Sequence, residues 1–272
     1  MTAHAENPAL APLTDKALRA VGAAWFVAAL AGQALFASYV AAFYGGAAIA
    51  GDFEKWNDIL VGGYVRGGLI GNIVLATHLA FAVTITLGGP LQLIPALRNR
   101  FRGFHRWNGR VYLLTALVMS LGGIYMVWTR GTAGGDAMRV GISLNGVLIV
   151  LCAVLAWRAA LTRDFESHRR WALRTFLLVS GVWFFRIGFM FWVLANQGPV
   201  GIGEDFDGPF VRFWAYGCYI VPLVVLELYL RAQDARSKTA KHAMTVGLAV
   251  LVLVTAAGIA GAAMLMWAPR LL

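Results

Sequence analysis

The chain alternates long apolar runs with short polar punctuation. Seven runs approach the ~20 residues that carry a helix across a ~30 Å hydrocarbon layer. They cover Val21 to Tyr44, Gly68 to Leu97, Val111 to Thr129, Gly141 to Leu161, Ala172 to Ala195, Trp214 to Leu230 and Val246 to Trp267. The pattern predicts an all-α, polytopic membrane bundle. Residues 1–16 read as a short tail and residues 17–272 as a single transmembrane domain.

Composition agrees with this reading. With 60% hydrophobic and 13% charged residues, the chain has too little polar surface to coat a soluble globule. Its two cysteines, Cys152 and Cys218, fall inside predicted spans and read as small buried apolar residues, not as a disulfide or metal pair.

The net charge of +10 could suggest a nucleic-acid partner, but its distribution argues against one. Lys16 and Arg19 precede the first run, and Arg98, Arg100, Arg102, Arg106 and Arg110 follow the second. Arg158, Arg163, Arg169, Arg170 and Arg174 surround the fourth-to-fifth junction, and Arg231, Arg236, Lys238 and Lys241 follow the sixth. The alternate loops carry only Lys55, Arg66, Arg130, Arg139, Arg212 and Arg270, against Asp52, Glu54, Asp58, Asp136, Glu204, Asp205 and Asp207. By the positive-inside rule the N-terminus is cytoplasmic and the C-terminus periplasmic, in a bacterial inner membrane. The basic face then meets anionic lipid, with no nucleic acid expected. The first run is too long for a signal-peptide core and is expected to be retained, with Thr14 or Asp15 as its N-cap.

Two stretches repeat. Trp107 to Trp128 aligns with Trp171 to Trp192 without a gap at an offset of 64, matching Trp107, Arg110, Leu113, Leu114, Val118, Met126 and Trp128. From Arg110 to Trp128 is ~27 Å of helix, about one membrane thickness. The alignment predicts two tandem hairpins, residues 67–130 and 139–195, forming a central four-helix unit. Chance likeness between leucine-rich helices is the competing explanation. In either case the tryptophan and arginine of each copy share a helix face as interfacial anchors.

The ionisable residues within the runs are the candidates for chemistry. Arg186 falls deep in the fifth run, where a guanidinium costs ~2.5 to 3.5 kcal/mol on insertion scales and must find acceptors or a ligand. It reads as an anion clamp or as a tie to carbonyls or Asn145. His78 lies at similar depth, as a haem ligand, quinone donor or proton relay, or as a structural histidine bonded to a neighbouring helix. Glu227 reads as a proton carrier, as a partner for the basic cluster, or as the mate of Arg231 one helical turn on. His105 and His168, each among arginines that include Arg110 and Arg174, are candidates to share a metal or haem. The stretch LGGPLQLIP, Leu87 to Pro95, predicts a kink, with Gln92 beside it on a packing surface or cavity wall. The small residues of TAAGIAGAA, Thr255 to Ala263, read as close helix packing.

Together, His78, the GPLQ of Gly89 to Gln92, Arg98, HRWNGRVY from His105, HRRWALR from His168, Arg186, Trp214 and Glu227 resemble a bacterial family of predicted multi-pass membrane proteins, a domain of unknown function. The resemblance spans about Gly68 to Arg231 and implies that these positions form a shared framework or site; it supplies no reaction. A looser similarity, in helix number and membrane histidines, is to the b-type cytochrome reductases. The chain departs from those in lacking two pairs of mid-membrane histidines, which leaves room for one haem at most.

The leading expectation is a redox component that binds one haem b or a quinone through His78, or through His105 and His168, with Arg186 or the inner arginines holding acidic groups. The alternative is a proton-coupled transporter or a lipid- or anion-handling protein, with Arg186, His78, Gln92 and Asn145 lining a pocket. A third is a non-catalytic subunit with a membrane partner, or a homo-oligomer.

Overall fold

The computed structural model describes residues 11–271, all helix and connecting loop. Helix α1 (Ala11–Val40) continues through a π-helical turn, Ala41–Gly45, into Gly46–Ile49. Then come α2 (Leu69–Leu93), a short helix at Pro95–Arg100, and α3 (Arg102–Thr129). Next are α4 (Gly135–Leu161), α5 (Phe165–Val179), α6 (Gly181–Ala195), α7 (Pro209–Asp234) and α8 (Lys238–Ala262). A second π-helical turn, Ala263–Trp267, and a 3₁₀ turn, Ala268–Arg270, extend α8. Six of these helices are long and apolar enough to cross a membrane, and α5 with α6, bent by 55° where they meet, makes a seventh if counted as one span.

Packing neighbours run α1, α2, α3, α4, α7, α6, α8 and back to α1, with α5 wedged against α4 and α7. The outer surface is apolar. Leu114 and Leu121 on α3, Val147 and Val154 on α4, and Val250 and Leu253 on α8 are each at least half exposed, in a belt that lipid covers and water would not.

Three sequence expectations change. The first helix has already formed at Ala11, so neither Thr14 nor Asp15 caps it. Asp15 instead accepts from Lys241 Nζ at 2.5 Å, tying α1 to α8. The second run stops at Leu93, not Leu97, because Pro95 pushes the preceding Ile94 into the extended region (φ −77, ψ 111). The fifth run is not one straight helix but the bent α5/α6 pair.

At the end of the bundle opposite Asp15, Arg130 closes the loop between α1 and α2. Its guanidinium donates to the carbonyls of Gly63 and Gly68 and to Asn72 Oδ1, the last at 2.8 Å. Gly71 keeps that route open, since a Cβ there would lie 2.4 Å from Arg130 Nη2. Arg130→Met leaves these acceptors unmatched, at a local cost of about 1 to 3 kcal/mol. Limited proteolysis should then cut between Phe53 and Gly68 while the helices survive; an unchanged digestion pattern would refute the latch.

Candidate functional site

The basic end of the bundle is organised around α5. Asp164 caps this helix, its Oδ1 accepting from the Ser167 amide at 3.0 Å. Hydrogen bonds from Ser167, side chain first and then backbone, hold the Asp164 carboxyl below the usual carboxylate range. The cap is therefore at full strength above pH ~4 and is lost as pH falls through that lowered value. Amide exchange in Phe165–His168 should accelerate only in that acid window.

On the next turn the Trp171 ring lies 4.6 Å from the Arg174 guanidinium, which donates to Glu227 Oε1 of α7 at 2.7 Å. In the matching stretch Arg110 sits 5.3 Å over Trp107, so the repeated spacing encodes the same stacked pair twice. Only the second pair gains a carboxylate. Glu227 is thus a partner for the basic cluster, and it reaches across to α5 rather than along its own helix to Arg231. The pair is partly exposed (20% and 38%), which limits its value. A double-mutant cycle with Glu227→Gln and Arg174→Met should give a coupling of about 0.5 to 1 kcal/mol, and a coupling of zero would remove it as a helix tie.

His105 and His168 also stand at this end. His168 Nδ1 is 2.9 Å from the Ala156 carbonyl, which assigns its proton there and leaves Nε2 free. His168 and Arg98 both lie within electrostatic reach of His105. His78 is elsewhere, ~22 Å along α2 from Leu93 at 1.5 Å per residue. It faces Gly123 of α3, and its Nδ1 has no hydrogen-bond partner among the described residues. The three histidines therefore do not converge on one point.

The GPLQ stretch is a crossing point. A Cβ at Gly89 would meet the Tyr112 ring at 2.9 Å and Phe176 at 3.1 Å, so glycine there lets α2 lie against α3 and α5. Helix α2 runs on through Pro90, and Asn108 Nδ2 donates to the Gly88 carbonyl at 2.9 Å. Gln92 packs on Gly109 with its Nε2 unpartnered.

The bend between α5 and α6 falls on a serine-glycine pair, one of the recognised causes of a sharp kink. Ser180 Oγ bonds back to the Phe176 carbonyl at 2.8 Å and accepts from Gln33 Nε2 of α1 at 2.9 Å. Asn145 of α4 donates to the Leu178 carbonyl at 3.2 Å, and Gly181 leaves room for it. Asn145 therefore serves the bend and not Arg186.

Beyond the bend, α6 carries Arg186 toward the half of α1 that ends at Val40. The guanidinium lies 5.1 Å from the Phe36 ring, and its hydrogen bond is from Nη1 to the Val182 carbonyl of its own helix, at 3.2 Å. Among the described residues no carboxylate pairs with it. Tyr39, Tyr44 and Arg270 are its electrostatic neighbours, and Arg186 keeps partial access to the outside. Trp267 is stacked 6.3 Å from Tyr39 and 5.5 Å from Phe36. The Trp267 Nε1 is buried without a partner among the described residues, and the Tyr39 hydroxyl is buried against that of Tyr44. Tyr44 and Trp267 come from the two π-helical turns, a distortion that often accompanies a functional site.

Sequence reasoning found Arg186 but missed what surrounds it. Gln33 offered a signal, an amide within an apolar run. The aromatic residues offered none beyond the general expectation of an interfacial belt. Among the described residues, no group of three or more histidine, cysteine or acidic side chains is placed to hold a metal.

A family model described as a predicted membrane protein (DUF2306) matches residues 75–230, which include His78, Arg174, Arg186 and Glu227. Phe36, Tyr39, Tyr44 and Trp267 lie outside that segment. No curated protein and no solved structure matches the chain.

Proposed function

We propose a function from one premise: the chain belongs to the DUF2306 family of predicted membrane proteins, and it holds an arginine within the apolar layer with no acidic partner among the described residues. On this reading it binds an anion at Arg186, as an anion- or lipid-handling protein of the membrane. One observation carries the proposal. A guanidinium has five N–H donors, and the hydrogen bond Arg186 makes goes back to its own helix. An arginine kept for architecture finds acceptors, as Arg130 and Arg174 do; an unmatched one is held ready for a ligand.

The rest of the chain supports this site. The bend aims α6, the α1 and α8 aromatic residues wall the site, and Arg174–Glu227 belongs to the framework. Proton coupling through Glu227 is not part of the proposal. By the distribution of arginine, the Asp15 end is cytoplasmic in a bacterial inner membrane and meets anionic lipid.

Native mass spectrometry tests the reading. Wild-type protein released from membrane should carry an acidic adduct that Arg186→Met lacks. Equal adducts on both would end the proposal.

A redox role is the second reading, and the same donors favour it. Arg186 and the Trp267 indole would also suit quinone carbonyls, beside aromatic residues. Solvent extraction yielding a stoichiometric quinone would select it. A haem version would rest on His105 and His168, with His168 Nε2 left free, and would need a Soret band in purified protein.

A further inference from the structure

The two repeated stretches keep different company at the basic end. Carrying the offset of 64 toward the N-terminus aligns Arg106 with Arg170, Arg110 with Arg174, and Arg102 with Glu166. In the second copy both arginines meet carboxylates. Arg170 pairs with Glu166 at 3.3 Å and with Asp234 at 2.7 Å, and Arg174 pairs with Glu227 at 2.7 Å. In the first copy an arginine stands where the glutamate would be. Arg102, Arg106 and Arg110 follow one another four residues apart along one face of α3, where like charges repel. All three are exposed, and none forms an ion pair or a side-chain hydrogen bond with another described residue. Residues 59–135 contain no aspartate or glutamate, so this stretch has no carboxylate of its own to offer.

We propose that this end of α3 seats an anionic phospholipid, its phosphate held by Arg102, Arg106 and Arg110 and its acyl chains lying along the apolar face of the same helix. The site is separate from Arg186 and stands whether or not that arginine binds an anion.

The surface has both halves that such a lipid needs. Guanidinium groups match phosphate oxygens through paired hydrogen bonds. The row extends ~12 Å at 1.5 Å per residue. Arg98 and Arg100, on the short helix before it, are exposed as well. Beside the row, Phe104, Trp107, Val111, Leu114, Val118 and Leu121 recur every three or four residues, each 38% to 67% exposed. This strip starts level with the arginines and continues along α3 past them. A molecule that covers both is ionic at one end and hydrocarbon along its length, whereas free phosphate would meet only the arginines. Trp107 joins the two halves, with the Arg110 guanidinium 5.3 Å from its exposed ring, as suits a tryptophan at a bilayer interface.

The test titrates full-length, delipidated protein in detergent with phosphatidylglycerol, followed by native mass spectrometry, with zwitterionic phosphatidylcholine as the comparison. Wild type should bind phosphatidylglycerol at least about tenfold more tightly than phosphatidylcholine. The triple variant Arg102→Gln, Arg106→Gln, Arg110→Gln should lose that preference. A second triple variant, Lys16→Gln, Arg231→Gln, Arg236→Gln, removes as much charge from exposed positions at the same end. It should keep the wild-type affinity within about twofold. Arg102→Glu rebuilds the pairing that Glu166 and Arg170 make in the second copy. This variant should melt no lower than wild type and bind phosphatidylglycerol about tenfold more weakly. Inorganic phosphate and glycerol 3-phosphate, at matched ionic strength, should not displace the lipid.

Equal losses in the two triple variants would reduce the effect to net charge and overturn the site. Wild type without a preference for phosphatidylglycerol would overturn the anionic class, and displacement by inorganic phosphate would overturn the lipid. Binding unchanged in Arg102→Glu, or a preference kept by the first triple variant, would overturn the role of the arginine row. The added lipid is identified by its own mass, so each of these failures is distinct from a failure of the Arg186 reading.

Discussion

Arg186→Met should abolish ligand binding and leave the ligand-free protein at least as stable as wild type. Placing a guanidinium near the middle of an apolar layer costs ~2.5 to 3.5 kcal/mol on insertion scales. Arg186 recovers part of this through the Val182 carbonyl, about 1 kcal/mol, and through the Phe36 ring, about 1 kcal/mol. Methionine fits a membrane helix, so the substitution should raise the stability of the ligand-free protein by about 1 kcal/mol. A bidentate charge-assisted contact is worth about 3 kcal/mol, so affinity should fall at least ~100-fold. This opposition of stability and affinity separates a ligand-binding arginine from a structural one. Arg174→Met is the control, because removing it strands Glu227.

The second large effect concerns the packing of α6 on α8. A Cβ at Gly258 would lie 2.4 Å from the Ile187 carbonyl oxygen, a backbone atom that cannot rotate away. A Cβ at Gly261 would lie 2.7 Å from Leu194, whose side chain can yield. Gly258→Val should therefore push α6 off α8 at a cost of about 3 kcal/mol, and should disturb the Arg186 site because Ile187 is its neighbour in sequence. Gly247, on the same helix, has no atom within 4 Å of where its Cβ would stand. Gly247→Ala should be neutral or stabilising by about 0.5 kcal/mol. Thermal unfolding in detergent compares the two; a Gly258→Val protein as stable as Gly247→Ala would contradict this account of the interface.

These predictions show which features the sequence made legible. Long apolar runs announce membrane helices because lipid demands them, and the family was recognisable from spaced polar motifs such as GPLQ and HRRWALR. Arg186 stood out for the same reason, since its own run holds no carboxylate to pair with it. Its surroundings did not, because Phe36, Tyr39 and Trp267 come from the two ends of the chain, and their roles depend on packing between α1, α6 and α8. The bend at Ser180 was hidden because Ser-Gly within an apolar run reads as a continuous helix unless a partner such as Gln33 or Asn145 is known. Glu227 posed a choice among partners that spacing could not decide; tertiary structure favours Arg174, 53 positions away, over Arg231, one turn along. That His105 and His168 both fall at the basic end could be read from the arginines around them, whereas the separation of His78 required the helices to be placed.

The central claim is that Arg186 is held for a ligand and not for the fold. One paired measurement on delipidated wild type and Arg186→Met tests it: melting temperature, with bound small-molecule content by native mass spectrometry before lipid removal. The account predicts that the variant melts at or above wild type and lacks the acidic adduct that wild type carries. A variant that melts well below wild type and retains the same adduct would make Arg186 a structural residue and contradict the account.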